Sequence, residues 1–235
     1  MFLLLFLGTA SIAFAKEAET AAAPPVQKIA VTRKEIRAGI AAGYDKTFYQ
    51  SFAAGAAGAL ELNNIVQAET GVLFWKNADV FQANTFVKGG IVFPRWKHLA
   101  LSAAYIFIAL PEYEHYSHTL LPMLHLRFIP AGVSLGLSFR FSEFYRSIVF
   151  ENILSFSIYV NFINRENFRF GFRFENCSDY ATANFGSYWF NINSEFRITK
   201  VIKMALEIEL AQSGSGGLSA AFYGVTFRPV LVITW

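Results

Sequence analysis

Apolar and polar side chains alternate with a period of two along most of the second half of the chain. The alternation runs through residues 133–142, 153–163, 168–175, 188–198 and 203–210, which short polar segments separate. Successive side chains of a β-strand point to opposite faces, so each stretch predicts a strand with one apolar and one polar face. The contrast is sharpest in 168–175, where Phe alternates with Arg, Gly and Glu.

The first half of the chain alternates less regularly but predicts further strands. Residues 48–61 are ambiguous, because their Ala/Gly run could form a helix, although Gly55 and Gly58 weaken that prediction. The total is about twelve strands, or ten if residues 33–75 contribute one hairpin fewer. The remaining candidate strands are 33–45, 66–75, 79–93, 98–110 and 119–129.

The last nineteen residues, 217–235, also alternate, and they end on Trp235. This segment resembles the closing strand of bacterial outer-membrane β-barrels, in which alternating apolar residues lead to a final aromatic residue. The resemblance implies that Tyr223, Phe227 and Trp235 form an assembly signal. It also implies that the barrel-assembly machinery and periplasmic chaperones are partners of the protein.

Composition supports a membrane barrel over a soluble sheet. Aromatic residues make up 17% of the chain, with 26 Phe, whereas charged residues make up 16%, below the usual share of about a quarter. A soluble sandwich would expose charged residues on its outer strands, but here the few charges share faces with Ser, Asn and Gly. That mixture favours a wetted lumen, and the Phe rows favour contact with acyl chains. We therefore predict an all-β fold, a single antiparallel up-and-down transmembrane β-barrel over residues 33–235.

The first residues predict export. Residues 1–15 hold a short apolar run and the small-x-small pattern Ala13-Phe14-Ala15, as in a signal peptide, although no Lys or Arg precedes the run. A buried N-terminal helix is the alternative. Residues 16–32 are polar and rich in Ala and Pro, and predict a periplasmic tail.

No run of 18 apolar residues follows residue 15, so strands, not helices, would have to cross the membrane. The predicted location is the bacterial outer membrane, with short turns, the N-terminal tail and the C-terminus on the periplasmic side. A soluble periplasmic or extracellular β-protein is the competing interpretation. The net charge of +3 is scattered, which gives no indication of nucleic-acid binding.

The polar faces of the predicted strands carry the candidate functional residues. An excess of Arg there would form a track for small or anionic solutes, whereas Arg–Glu pairs across strands would close the lumen of a structural barrel. Small barrel channels for acidic oligosaccharides are similar in size and in lumen arginines, but no motif links this chain to them. The predicted lumen-lining residues are Arg127, Arg140, Arg169, Arg173, Glu175, Glu195, Arg197, Lys203 and Arg228, and Arg37, Glu207 and Glu209 share their parity.

An enzyme is the second hypothesis. His115 and Ser117 would share a strand face, and such a pair can activate a serine nucleophile, with Glu143 as the candidate carboxylate. The pair is similar to that of outer-membrane lipid A deacylases, which implies a lipid-modifying hydrolase, but the apolar residues at 120–122 depart from that family. We predict a channel, not an enzyme, and no cofactor or metal. The lone Cys177 has no evident base beside it in sequence.

Overall fold

The computed structural model describes residues 30–45, 50–77, 80–145, 147–183, 187–213 and 221–235. The predicted signal peptide, 1–15, and the tail up to residue 29 lie outside the described residues. Within them the chain forms twelve strands and one 3-10 turn at Pro111–Tyr113. The strands are β1 (Val31–Asp45), β2 (Gln50–Leu62), β3 (Val66–Asn77), β4 (Val80–Val92), β5 (Leu99–Leu110), β6 (His115–Arg127), β7 (Ala131–Phe144), β8 (Ser147–Asn164), β9 (Phe168–Glu175), β10 (Ser187–Arg197), β11 (Ile202–Ser213) and β12 (Ala221–Thr234).

The strands form one closed antiparallel barrel in which each strand pairs with its neighbours in sequence. β1 and β12 close the barrel, with Ile36 opposite Ile233. Backbone hydrogen bonds of 3.1 Å in both directions between Lys34 and Trp235 complete this seam. Closure gives every strand two neighbouring strands, which is the condition for a sheet in lipid.

The predicted fold is confirmed, with twelve strands and not ten. The ambiguous segment 48–61 forms β2, a strand over Gln50–Leu62, and is not a helix. β6 begins at His115, so the polar loop after β5 is shorter than its sequence indicated. β1 begins at Val31, slightly before the predicted residue 33. None of the described residues forms a helix long and apolar enough to cross a membrane.

The apolar faces of the strands form the outer surface of the barrel. Large exposed side chains such as Phe139, Leu154 and Phe196 stand on this surface. The rings of β9 pack against their outward neighbours, with the centroid of Phe172 5.2 Å from that of Phe190 and 5.1 Å from that of Phe162. Arg173 and Glu175, on the opposite face of β9, line the interior of the barrel. The Phe rings of β9 therefore lie on its outside.

The wall is interrupted where β9 ends. Glu175, its last residue, pairs with Ser157, whereas β8 continues along β7 as far as Ser147. Beyond Glu175 the chain turns into the barrel and forms a short hairpin over residues 176–183, which we call the inner hairpin. Cys177 and Thr182 form a bridge across it, and Ser178 N donates to the carbonyl oxygen of Ala181 at 2.7 Å.

Candidate functional site

The inner hairpin rests on an apolar part of the barrel interior. Inward side chains of β4 to β6, namely Phe86 and Ile106, each 1% exposed, and Leu121, form a buried cluster there with Cys177 of the hairpin. The Tyr180 ring meets Phe86 edge to face, with 4.9 Å between the centroids. The hairpin thus covers apolar residues that would otherwise face water in the lumen.

The base of the inner hairpin is tied to the wall by the fully buried Asn176. Its amide nitrogen Nδ2 donates to the carbonyl oxygen of Leu154 at 2.7 Å, and its Oδ1 accepts from the Phe156 amide at 2.8 Å. The Asn176 side chain therefore makes the hydrogen bonds to β8 that the backbone of β9 would make if the strand continued. On the other arm, Arg140 of β7 donates to the carbonyl and hydroxyl oxygens of Thr182.

The tip of the inner hairpin carries a charged contact across the lumen. The Asp179 carboxylate lies 2.7 Å from Lys88 Nζ on β4. Burial would raise the pKa of Asp179, but the charge and hydrogen bond of Lys88, with the guanidinium groups of Arg173 and Arg37, lower it below its usual value. Asp179 is therefore ionised at neutral pH.

Two cavities flank this tip, with volumes of about 200 and 270 Å³. One lies toward β1–β3 and β10–β12, and the other lies toward β4–β9. Residues of the tip and of the facing wall line both cavities. The tip therefore lies between the two cavities, and the same charged side chains border each of them. The shared lining residues are Arg37, Glu69, Arg173, Glu175, Ser178 and Asp179.

Most of the predicted lumen cations lie beside a carboxylate. Arg228 reaches Glu207 at 3.0 Å and Glu209 at 3.8 Å. Lys203 lies 2.9 Å from Glu195. The other pairs are Arg169–Glu195 (4.0 Å), Arg173–Glu175 (3.8 Å), Arg140–Glu151 (3.3 Å), Arg37–Glu69 (3.2 Å), Arg37–Glu35 (2.5 Å) and Arg197–Glu166 (2.6 Å). Arg127 lines the cavity toward β4–β9.

One hydrogen-bonded group in this second cavity was not predicted. The His125 ring lies between two hydroxyls, with Nε2 2.7 Å from Ser102 Oγ and Nδ1 2.7 Å from Ser134 Oγ. The three residues lie on the adjacent strands β5, β6 and β7, and their polar character at inward positions was the available sequence signal. Serine hydrolases place a carboxylate on the ring nitrogen that faces away from the nucleophile, whereas this ring has a second serine there.

The predicted hydrolase residues do not converge. Ser117 is buried, and its hydroxyl accepts a 3.2 Å hydrogen bond from Ser142. The His115 ring packs against Phe144 instead, with centroids 5.7 Å apart. Glu143 has the outward parity of β7, opposite to that of Ser142. The arrangement therefore does not supply a nucleophile, base and carboxylate at one point.

The Cys177 thiol is the remaining candidate reactive group of the interior. Cys177 is buried, its Sγ lies 3.5 Å from the carbonyl oxygen of Phe156, and burial beside Glu175 and Asp179 raises its pKa to about 12. A thiol of this pKa is protonated at neutral pH and is a poor nucleophile. The described residues contain no group of three or more His, Cys, Asp or Glu that could hold a metal ion.

Comparison with solved structures shows that this barrel shares its fold with outer-membrane porins and channels. The KdgM porin in complex with disordered oligogalacturonate is similar over 86% of this chain and 99% of its own, with a TM-score of 0.56 and 9% identity. The chain has the fold of the outer-membrane porins. The NanC porin gives a TM-score of 0.56 over 83% of this chain and 98% of its own, with 11% identity.

A third porin-like structure extends the similarity to most of this chain. An outer-membrane channel from Pseudomonas putida F1 covers 92% of this chain and 100% of its own, with a TM-score of 0.57 and 7% identity. No family model matches the sequence, and no curated protein matches it either. At such low identities the similarity to the porins establishes the fold and leaves function to the residues of the site.

Proposed function

We propose that the protein is an outer-membrane channel for small solutes, preferentially anionic ones, whose lumen is narrowed by the inner hairpin. The observation that carries the proposal is the pair of cavities on either side of Asp179, inside a barrel with an apolar outer surface. A barrel of about twelve strands lies between small barrels filled by side chains and wide porins. The hairpin lies inside the lumen and leaves the two cavities beside its tip.

The preference for anions rests on the cations at this central point. Arg37 and Arg173 line both cavities, and Lys88 and Arg127 line one of them. Guanidinium groups bind carboxylates and phosphates in bidentate pairs, and cations in a narrow passage raise the local concentration of anions. The KdgM porin, which has the same fold, was solved with an acidic oligosaccharide, and this agrees with an anionic solute here.

The orientation and biogenesis of the barrel are part of the same proposal. The end that carries both Lys34 and Trp235 faces the periplasm, and the end with the inner hairpin faces outward. In this proposal residues 1–15 direct export, the tail predicted at 16–32 belongs to the periplasmic side, and the barrel-assembly machinery and periplasmic chaperones handle the chain. Tyr223, Phe227 and Trp235 supply the aromatic pattern for that recognition, and Phe227 and Trp235 are exposed on the outer surface.

A structural barrel with a closed lumen is the competing function, and the paired charges of the interior favour it. Reconstitution of the purified protein into planar lipid bilayers separates the two functions. A channel gives discrete current steps, and a salt gradient gives a reversal potential of the sign for anions. Absence of steps from protein that shows heat-modifiable migration on a detergent gel would contradict the channel, and a cation-selective current would contradict the anion preference alone.

A further inference from the structure

We propose that Arg37, Lys88 and Arg173 form a binding site for the carboxylate of a transported solute, and that Asp179 occupies this site until the solute displaces it. The inference rests on the proposed channel function and assigns to it a ligand group and a position. In this arrangement the inner hairpin is a plug whose carboxylate imitates the ligand.

Asp179 stands on a turn and not on the barrel wall. Two other carboxylates beside these cations, Glu69 and Glu175, belong to β3 and β9 and are fixed by the sheet. Asp179 instead follows Ser178, whose hydroxyl accepts hydrogen bonds from the amides of Tyr180 and Ala181 and shapes a tight turn. A carboxylate on such a turn can leave the cations without breaking a strand pair.

The inner hairpin is attached more firmly at its base than at its tip. The base is held by the buried amide of Asn176 and by Arg140, through several hydrogen bonds to the wall. The tip is held by the Lys88–Asp179 pair, by the Tyr180 ring against Phe86 and by one hydrogen bond of 3.2 Å from Asn84 to the carbonyl oxygen of Tyr180. The tip can therefore move while the base stays in place.

The charges around the tip balance while Asp179 is in position. The four cations are Arg33, Arg37, Lys88 and Arg173, and the four carboxylates are Glu35, Glu69, Glu175 and Asp179. When the tip withdraws, four cations face three carboxylates, and an uncompensated charge in a confined space is costly. A single carboxylate restores the balance, which defines the ligand group.

The size of the ligand follows from the cavities. Their volumes, about 200 and 270 Å³, are below the roughly 300–1,000 Å³ of pockets for drug-sized molecules. A sugar acid of one ring fits this scale. Because both cavities border Asp179, and its side chain is 35% exposed, such a solute can reach the cations from either side of the tip.

The test measures the binding of galacturonate to detergent-solubilised full-length protein by isothermal titration calorimetry, with galactose as the matched neutral sugar. D179N and D179S remove the competing charge, and both should bind galacturonate about tenfold more tightly than the wild type, a difference of about 1.4 kcal/mol. The conservative D179E should bind like the wild type. Galactose binding should not distinguish the four proteins, and heat-modifiable gel migration identifies variants that are folded.

Equal galacturonate affinity in wild type and in the folded Asn and Ser variants would overturn the inference. So would tighter binding that persists in D179N/K88Q, because the gain must come from the released cation. This readout does not depend on conduction. A protein that conducts but shows no effect of D179N keeps the channel and loses the plug, whereas tight binding by D179N without conduction keeps the plug and loses the channel.

Discussion

The Asn176 side-chain amide donates a 2.7 Å hydrogen bond to the carbonyl oxygen of Leu154, on the part of β8 that β9 leaves uncovered. Its Oδ1 accepts from the Phe156 amide of the same edge. One side chain thus satisfies the backbone at the point where the chain leaves the wall, and the inner hairpin depends on this replacement.

Asn176→Ala should therefore destabilise the barrel. The substitution leaves the Leu154 carbonyl and the Phe156 amide unpaired, and each buried unpaired group costs roughly 1–3 kcal/mol. Urea unfolding in detergent micelles, followed by tryptophan fluorescence, measures the free energy of unfolding. Asn167→Ala, at an exposed turn position, is the matched control, and equal stability of the two variants would contradict the role given to Asn176.

Gly71→Ala should dislodge the tip of the inner hairpin. A methyl group at this inward position of β3 would lie 2.5 Å from the Phe86 ring and 2.8 Å from the Tyr180 hydroxyl, and overpacking of this kind costs about 1–3 kcal/mol. Hydrogen exchange measured by mass spectrometry should show faster exchange in peptides that contain Tyr180. Gly89→Ala has no atom within 4 Å of the added methyl and should exchange like the wild type; a matching rate in Gly71→Ala would refute the contact.

Acid should release the tip only at low pH. Lys88 and the nearby Arg173 lower the pKa of Asp179 from its ordinary 3.8, so the ion pair contributes stability that is present above pH 3.8 and is lost as the pH falls through the lower folded value. Hydrogen exchange of the Tyr180-containing peptides, corrected for the intrinsic pH dependence, should therefore rise as the pH falls below 3.8. D179N lacks the titrating group and should show no such rise.

The orientation of the barrel predicts a labelling pattern on intact cells. Glu114 lies in the loop between β5 and β6, at the end of the inner hairpin, and Glu166 lies in the turn between β8 and β9, at the opposite end. A membrane-impermeant maleimide should label E114C and spare E166C, and both should react after permeabilisation. The native Cys177 should stay silent because it is buried with a pKa raised to about 12; labelling of E166C alone would reverse the orientation.

Lipid contact of the Phe rows predicts a cost for charge on the outer surface. Phe172→Arg places a cation among outward aromatic rings, and such a change costs about 2–4 kcal/mol at the bilayer midplane and less near its surfaces. Phe172→Leu keeps the apolar character and should cost less. Unfolding from lipid vesicles measures both variants, and equal stability would show that the ring does not face acyl chains.

The sequence carried the local part of this structure well. Alternation located β9 at its observed bounds and assigned its four Phe to one face, because a two-residue period needs only neighbouring residues. It also indicated about twelve strands, even where the Ala/Gly run of β2 resembled a helix. Strand bounds were less accurate at the loop end, where β6 and β8 extend beyond their clearest alternation.

The inner hairpin was not predicted because its contacts are distant in sequence. Lys88 and Asp179 are 91 positions apart, and residues 176–183 by themselves read as an ordinary polar loop. A weaker signal was present in the first half of the chain, where Leu73, Phe86, Ile106 and Leu121 take inward positions although they are apolar. Apolar side chains that face the lumen must be shielded from water by another segment. Only the three-dimensional structure identifies residues 176–183 as that segment.

The hydrogen bonds between Lys34 and Trp235 have a consequence for biogenesis. Across this seam the Thr234 hydroxyl lies 3.4 Å from the Glu35 carboxylate, 199 positions away in the chain. Pairs so remote in sequence form slowly, because a long loop must be ordered before they contribute. A chain that still lacks β12 would expose unpaired strand edges, which can pair with other chains. The barrel can close only after β12 has been synthesised, so the chain must be protected from aggregation until then.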